Sequence, residues 1–451
     1  MMDKLFGTDG IRGIAGEFPL DGKTLFRIGR ELGRYLIELH KTAGVVIGRD
    51  TRASGVWIEE IIRHSLSSAG VKSEMAEVFT TPGVSFLARA RDYQAGIVIS
   101  ASHNPYRDNG IKVFAHTGMK MSDEAETEIE ERVFRSTDLT DHAPGREPVI
   151  TRLLSVNETL MRPYLDFLRE AADPDARGFR IVIDCANGAS FRLAPELFRS
   201  LGHDVIVLHN QPDGTNINAK CGALYPQSLC RAVVDHSADL GVAFDGDADR
   251  SIFSDEKGQV IDGDHILYIF ARYLKERGEL KNDTVVATLM SNIGLEIALA
   301  RLPARLDRAK VGDRYVLERM LELDANLGGE QSGHILLLDR SVAGDGLLTT
   351  VELLRVMRET ASSLSRLAAP VSKFPQILIN VSVSSKPELT TVPAIHDALS
   401  DVTKRLGAEG RVLVRYSGTE SIARVMIEGK EENVIRDCAQ QIAAVIQNEI
   451  G

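Results

Sequence analysis

Asp245, Asp247 and Asp249 alternate along the chain, separated by Gly246 and Ala248 and followed by Arg250. Carboxylate oxygens this close suit Mg²⁺ or Ca²⁺ better than a soft-ligand metal, and they repel one another unless a cation neutralises them. Arg250 alone is too little. The run opens like an EF-hand, and Glu256 falls at loop position twelve. Yet Arg250 stands at position six, where that turn needs glycine, and an apolar strand leads in. A phosphatase nucleophile at Asp245 is a second reading and a solvated acidic turn a third. The phosphatase leaves another segment, Ser100-Ala-Ser102-His103-Asn-Pro105, unexplained. A serine there can serve as nucleophile or phosphate carrier, and Pro105 stiffens the exit. Adjacent Ser102 and His103 do not by themselves make a Ser-His-Asp hydrolase, whose base must be oriented by geometry, and no Gly-x-Ser-x-Gly elbow surrounds them. A serine cap or plain turn is the bland alternative. Lys112, ten residues on, is placed to neutralise a phosphoryl group.

Three further loops carry polar groups on glycine. Gly328-Gly-Glu330-Gln331-Ser332-Gly-His334 suits a hydroxyl-rich ligand better than a dinucleotide, since no Gly-x-Gly-x-x-Gly opens a helix there. Arg415-Tyr-Ser417-Gly418-Thr419 with Arg424 combines cations, hydroxyls and a backbone glycine, a mixture matched to a phosphate dianion. Phe6-Gly-Thr8-Asp-Gly10-Ile-Arg12-Gly13 adds Arg12 as another phosphate partner. A carrier hydroxyl, a hard-metal triad, a polyol clamp and a phosphate clamp are the equipment of phosphoryl transfer on a phosphorylated sugar, where positioning and charge neutralisation do most of the work.

The elements that must hold these loops follow an alternating grammar. Leu25, Ile28, Leu32, Tyr35, Leu36 and Leu39 mark an amphipathic helix over 23–39, and 43–47 reads as a buried strand. A helix at 57–69, a strand at 75–79, a helix from Pro82 and a strand at 97–99 continue it. An acidic helix from Ser122 has a partial cap, since Ala125 stands where a capping box prefers Glu. After a linker at 138–148 the pattern restarts: helix 160–171, strand 180–184, helix 190–201, strand 204–208, helix 227–237, strand 240–244, then a hairpin of 251–254 with 259–261. A third unit runs from helix 264–277 through strand 284–289 to a long helix ending near Leu367, before Pro370 and Pro375 break the chain. Strands at 377–383, 412–414 and 425–428 with helices at 395–406 and 432–448 make a smaller α+β unit. The expected fold is therefore α/β: three similar mixed-sheet domains (1–150, 151–258, 259–370) and a C-terminal α+β cap (371–451) around one cleft. Each large unit ends an apolar strand in one of the polar loops, where open α/β sheets bind ligands.

Composition sets the outer limits. The 451 residues are 43% hydrophobic and 26% charged, the balance of a globular protein of several domains. No apolar run approaches membrane-helix length and the start lacks a signal-peptide core, so a cytoplasmic protein is expected, without membrane association. A net charge of −11 with no basic cluster argues against nucleic acid. Cys185, Cys221, Cys230 and Cys438 form no Cys-x-x-Cys pair and read as packed thiols.

Taken together, Phe6–Gly13, Ala101–Lys112, Phe244–Arg250, Gly329–His334 and Arg415–Glu420, in that order, resemble the α-D-phosphohexomutase superfamily along nearly the whole chain. Val311-Gly-Asp313-Arg314-Tyr-Val316 and Gln331 are most similar to its glucosamine-phosphate branch. The resemblance implies an isomerase that interconverts glucosamine 6-phosphate and glucosamine 1-phosphate through a phosphoserine and glucosamine 1,6-bisphosphate, on the route to UDP-N-acetylglucosamine and cell wall. It implies Ser102 as phosphoserine, sharing one Mg²⁺ with Asp245, Asp247 and Asp249. Arg12, Lys112 and Arg250 would stabilise charge, with Lys112 the proton shuttle, and His103 would orient the loop or act as base. Asp313, Arg314, Glu330, Gln331, Ser332 and His334 would hold the sugar; Arg415, Ser417, Gly418, Thr419 and Arg424 would hold the non-reacting phosphate. A hexose bisphosphate activator, a phosphorylated amino-sugar substrate and a homodimer are implied as well. Two positions depart from the family pattern: Ser421 replaces a proline, and Ala248 a glycine.

Overall fold

The computed structural model describes residues 4–7, 9–136, 153–417 and 421–451. The chain divides into two compact units, Met1–Met290 with Leu306–Ala369, and Ser291–Arg305 with Pro370–Gly451. The first holds three sheets; the second holds one.

The first sheet contains β1 (Ile11–Ile14), β2 (Gly44–Arg49), β3 (Lys72–Val78), β4 (Ala95–Ile99) and β5 (Asp108–Ala115), in the order β1-β5-β4-β2-β3. β2 runs parallel to β3 and β4, whereas β5 is antiparallel to β4 and β1. β5, absent from the sequence reading, is polar at its start yet buried through its middle. The helix Gly22–His40 begins at Asp21, whose carboxylate accepts from Lys23 N–H (3.1 Å) and Thr24 N–H (3.0 Å), a cap worth about 1 kcal/mol. Its Leu25, Ile28, Leu32 and Leu36 are buried in one core with Val45, Ile47, Ile97 and Ile99. Fully burying each such side chain contributes roughly 1.5–3 kcal/mol. Leu39, the last member of the predicted stripe, is 59% exposed because the helix outruns the sheet.

The second sheet repeats the plan with β6 (Arg180–Asp184), β7 (Asp204–Leu208), β8 (Leu240–Phe244), β9 (Ser251–Asp255) and β10 (Val260–Ile261), ordered β10-β9-β8-β6-β7. The expected hairpin is there, Val260 opposite Ser254 and Ile261 opposite Phe253. The third sheet has β11 (Thr284–Thr288), β12 (Arg305–Ala309), β13 (Leu327–Gly329) and β14 (Ile335–Leu337), ordered β12-β11-β13-β14. The long helix expected to reach Leu367 is broken instead. It stops at Glu359, Ala361 adopts φ 46°, and a short helix restarts at Leu364. Ser122 does cap the acidic helix through Ala125 N–H (3.3 Å). The linker expected at 138–148 lies outside the described residues.

In the second unit, β15 (Gln376–Ser382), β16 (Gly410–Tyr416) and β17 (Ile422–Gly429) form an antiparallel sheet with β17 in the middle. The helices Pro393–Leu406 and Glu432–Ile450 cover it, with Ile395, Val402, Ile435 and Ile442 in the core. Among the described residues, no helix is long and apolar enough to cross a membrane.

Candidate active site

The serine, aspartate and glutamate loops each leave the carboxyl end of a strand: 100–105 after β4, 245–250 after β8, and 330–334 after β13. The first two meet. Ser102 Oγ–H donates to Asp245 Oδ2 at 2.6 Å, and Ser102 is 1% exposed. Its backbone sits at φ 51°, a left-handed conformation that costs a residue with a Cβ about 1–2 kcal/mol. Gly246 opposite has no room for a Cβ, which would stand 2.5 Å from Ser102 O. Ala248 adopts φ 60°, a left-handed conformation in which glycine would carry no Cβ strain.

Asp245, Asp247 and Asp249 are all buried and bring one ligand oxygen each within 4.8 Å of one another. Lys112, 2% exposed, reaches from β5 to donate to Asp247 Oδ2 (3.0 Å) and Asp249 Oδ2 (3.2 Å). Thr81 Oγ–H donates to the same Asp247 oxygen at 2.6 Å. Asp247 Oδ1 is buried and accepts no hydrogen bond from any described residue. Burial, then Asp249 and Asp247, push Asp245 well above the usual carboxylate range. An orphaned buried oxygen in a set of hard donors that cannot all ionise comfortably fits a divalent cation.

Cations surround the triad. Burial opposes the charge on Lys112, but Asp247, Asp249 and Asp9 outweigh it and hold its pKa well above the ordinary value. Arg12 donates to Asp9 and to Ala101 O (3.5 Å). Arg250 N–H donates to Asp245 Oδ1 (3.1 Å), and its guanidinium lies 3.0 Å from His103 Nδ1. Because a guanidinium only donates, His103 Nδ1 is the acceptor and the ring is neutral. Burial, with Arg250 and Arg12, pulls its pKa down to about 4.

A cavity of about 510 Å³ opens beside this cluster, lined by Arg12, His103, Arg250, Asp313, Glu330 and His334 among others. Glu330 Oε1 accepts from Gly312 N–H (3.2 Å) and Oε2 from Ser332 Oγ–H (3.3 Å). His334 lies 3.9 Å from Asp249 and 3.7 Å from Asp313. Burial lowers its pKa, but the two aspartates raise it further.

Not every predicted residue joins the cavity. Arg314 turns away, donating to Met121 O (2.7 Å) and Glu126 (3.1 Å) and pairing with Asp123; its guanidinium ties the first and third sheets' domains together. Gln331 and Ser332 do not line it, although Gln331 Nε2 is buried with no partner among the described residues. In the second unit, Arg415 and Arg424 stand directly opposite on β16 and β17. Ser417 N–H donates to Ile422 O (2.9 Å), and Ser417 O accepts from Lys386 Nζ (2.8 Å). Gly418 and Thr419 lie outside the described residues. Ser421 is anchored by its carbonyl, which accepts from Val383 N–H (2.9 Å).

Sequence reasoning missed Asp9 and Lys120. Asp9 gathers Arg12, Lys112 (3.4 Å) and Lys120, and Lys120 also reaches Asp313 (2.8 Å). Burial opposes ionisation of Asp9, yet the three cations hold its pKa well below the usual range. The glycine run around Asp9 was the available signal. Asp184, His209 and Cys221 also cluster within 4.8 Å, but backbone N–H groups of Ala186 (2.9 Å) and Gly222 (3.0 Å) already occupy Asp184. Burial, then Asp184, push the Cys221 thiol up to about 12.

Comparison with known proteins agrees with the geometry. Residues 3–140, 162–258, 262–374 and 378–445 match, in order, the α/β/α domains I, II and III and the C-terminal domain of phosphoglucomutase/phosphomannomutase. The phosphoglucosamine mutase of Solibacter usitatus is 46% identical over 451 residues, covering all of both chains. That of Koribacter versatilis is 47% identical over 460 residues, covering 100% of this chain and 99% of its own. Among solved structures, a phosphoglucomutase/phosphomannomutase family protein from Burkholderia thailandensis superposes with TM-score 0.80 at 23% identity, over 99% of this chain and 98% of that one. Aspergillus fumigatus N-acetylphosphoglucosamine mutase, in complex with GlcNAc-6P and magnesium, gives 0.70 at 17% over 98% and 95%. These two likenesses concern the fold.

Proposed function

We propose a function from one premise: the chain belongs to the phosphoglucosamine mutase branch of the α-D-phosphohexomutase superfamily, the phosphoglucomutase/phosphomannomutase domain family. It interconverts glucosamine 6-phosphate and glucosamine 1-phosphate. The observation that carries this reading is Ser102 Oγ at 2.6 Å from Asp245, at the edge of a carboxylate triad in which Asp247 Oδ1 and Asp249 Oδ1 are buried without a hydrogen bond from the described residues.

Ser102 carries the phosphoryl group. The sugar hydroxyl oxygen bonds to phosphorus as the bond to Ser102 Oγ breaks, giving glucosamine 1,6-bisphosphate; the other phosphate then returns to Ser102. Asp245, Asp247 and Asp249, with the serine phosphate, would hold Mg²⁺, which when bound neutralises charge on the transferring group. Lys112, kept protonated by its carboxylates, gives Ser102 Oγ its proton and regains one from the attacking hydroxyl within the same transfer. Arg12 and Arg250 offset charge on the phosphoryl oxygens. Neutral His103 orients Arg250 rather than acting as base. Asp313, Glu330 and His334 take sugar hydroxyls, Ser332 and Gln331 act from outside the cavity by holding the Glu330 loop that meets the sugar, and Arg314 holds the domain that carries Asp313. Arg415, Ser417, Gly418, Thr419 and Arg424 bind a phosphate. Residues 1–150, 151–258, 259–370 and 371–451 are the four domains in this scheme, in a cytoplasmic homodimer activated by a hexose bisphosphate.

The test compares kcat/KM for glucosamine, glucose and mannose phosphates, with Mg²⁺ and a hexose bisphosphate present. Strong preference for the amino sugar supports the reading. Equal or better turnover of glucose or mannose phosphate leaves the chemistry and overturns the substrate.

A further inference from the structure

β2 ends in Arg49-Asp50-Thr51-Arg52, four polar residues in succession, all with essentially no exposure. A buried arginine demands partners for a charge and five N–H donors. Arg52 finds them in the serine loop. Its Nε donates to Asp50 Oδ2 (2.8 Å). One terminal nitrogen donates to Ser102 O (2.9 Å) and Asn104 O (2.9 Å), and the other to Asp108 O (3.0 Å) and Pro105 O. Asp50 also accepts from Ser100 Oγ–H (2.7 Å), and Ser100 Oγ accepts from Ser102 N–H (2.9 Å). Both sides of the Ser102 peptide are therefore fixed from one buried ion pair. Asn218 Nδ2 adds a second donor to Ser102 O (2.9 Å) and Asn104 O (3.2 Å).

The geometry points to Arg52 as the positioning residue of the reacting serine: it pins four main-chain carbonyls of residues 102–108, with Asp50 as its counter-ion. This rests on the proposed role of Ser102 as phosphate carrier. A carrier serine alternates between hydroxyl and phosphate in each turnover, and the hydroxyl's hydrogen bond to Asp245 exists only in the first state. A loop held in an unfavourable left-handed turn needs a restraint that does not change with the side chain. Arg52 supplies one, because every bond it makes to the loop is to main-chain oxygen. It does not line the cavity, so it acts through Ser102 and not on substrate. A misplacement of about 1 Å in a transferring group costs on the order of 10²-fold in rate.

The experiment uses the full-length protein with Mg²⁺. Arg52→Lys keeps the charge beside Asp50, but one ammonium cannot span four carbonyls and a carboxylate. Expected are a loss of kcat of about 100-fold, KM for the sugar phosphate nearly unchanged, and faster amide hydrogen exchange confined to 101–108. Asn218→Ala should move kcat and exchange the same way, less far. Wild-type kcat and exchange in Arg52→Lys, or a kcat loss that only tracks the folded fraction, would overturn the assignment. If Arg52→Lys does not fold, Asn218→Ala decides, and unchanged kcat and exchange there count against it. If the wild type turns over no hexose phosphate, the proposed function has failed. The positioning role is then judged by exchange at 101–108 alone, faster exchange sustaining it and unchanged exchange ending it.

Discussion

Replacing Lys112 by methionine removes one charge and keeps most of the side-chain volume. The ammonium lies 3.0 Å from Asp247 and 3.2 Å from Asp249, with Asp9 at 3.4 Å. At an effective dielectric near 20, each of the two closer attractions is roughly 5 kcal/mol gross, against a desolvation penalty of several kcal/mol per buried ion. Stranding buried carboxylates typically costs about 3–5 kcal/mol net. At about 1 °C per kcal/mol for a chain of 451 residues, the metal-free variant should melt about 3–5 °C lower. Saturating Mg²⁺ should narrow that gap, because a divalent cation replaces the missing charge. It should not restore turnover, which falls at least about 100-fold if Lys112 moves a proton. Differential scanning fluorimetry with chelator and with Mg²⁺, paired with mutase assays, reads both effects. Melting within about 1 °C of wild type without metal would refute the electrostatic reasoning. Near wild-type kcat would remove Lys112 from the chemistry.

Other perturbations have equally definite outcomes. Asp345 caps the helix Gly346–Glu359 through Leu347 and Leu348 N–H (both 3.0 Å) and accepts from Tyr164 OH (2.7 Å); burial raises its pKa from 3.8 to about 6. Between those pH values the folded chain holds a proton that the unfolded chain has lost, so stability falls as pH rises from 3.8 to 6 and is then flat. Asp345→Asn keeps the cap through its one carbonyl oxygen and turns an NH2 toward Tyr164, whose hydroxyl oxygen must then accept. Urea unfolding should show that slope gone and up to about 3 kcal/mol gained at neutral pH, less the lost Tyr164 bond. In Gly344→Ala the new Cβ would stand 2.2 Å from His334 Nε2, so His334 must shift. A KM raised at least about tenfold, with roughly 1–3 kcal/mol of stability lost, is expected in steady-state assays and denaturant melts. Chelation should abolish turnover and lower the melting temperature, and Mg²⁺ should restore both.

What the sequence showed and hid follows from one physical distinction. Apolar strands ending in polar glycine loops are visible as local contrast, and β4, β8 and β13 each deliver such a loop where expected. The aspartate triad was legible for the same reason, its spacing being a property of one short segment. β2 carries the same signature, an apolar run ending in Arg49-Asp50-Thr51-Arg52 between Gly48 and Gly55, yet with no nucleophile or ligand triad in the run it read only as a strand. Partners far apart in sequence were hidden. Nothing local tells that Lys120 will meet Asp313, or that Arg314 will face Glu126 instead of the cavity. The helix break at Ala361 was hidden as well, since Thr360-Ala-Ser-Ser keeps an unremarkable composition while the backbone turns left-handed.

The proposed phosphoryl transfer depends on Ser102 as carrier, and intact-mass spectrometry examines that directly. Wild-type protein and Ser102→Ala would each be exposed to glucose 1,6-bisphosphate with Mg²⁺ and weighed. A single phosphoryl adduct on the wild type, mapped to the peptide containing Ser102 and missing from the variant, is the expected result. An adduct that persists in Ser102→Ala, or a variant that still turns over sugar phosphate at the wild-type rate, would mean the phosphoryl group travels by another residue.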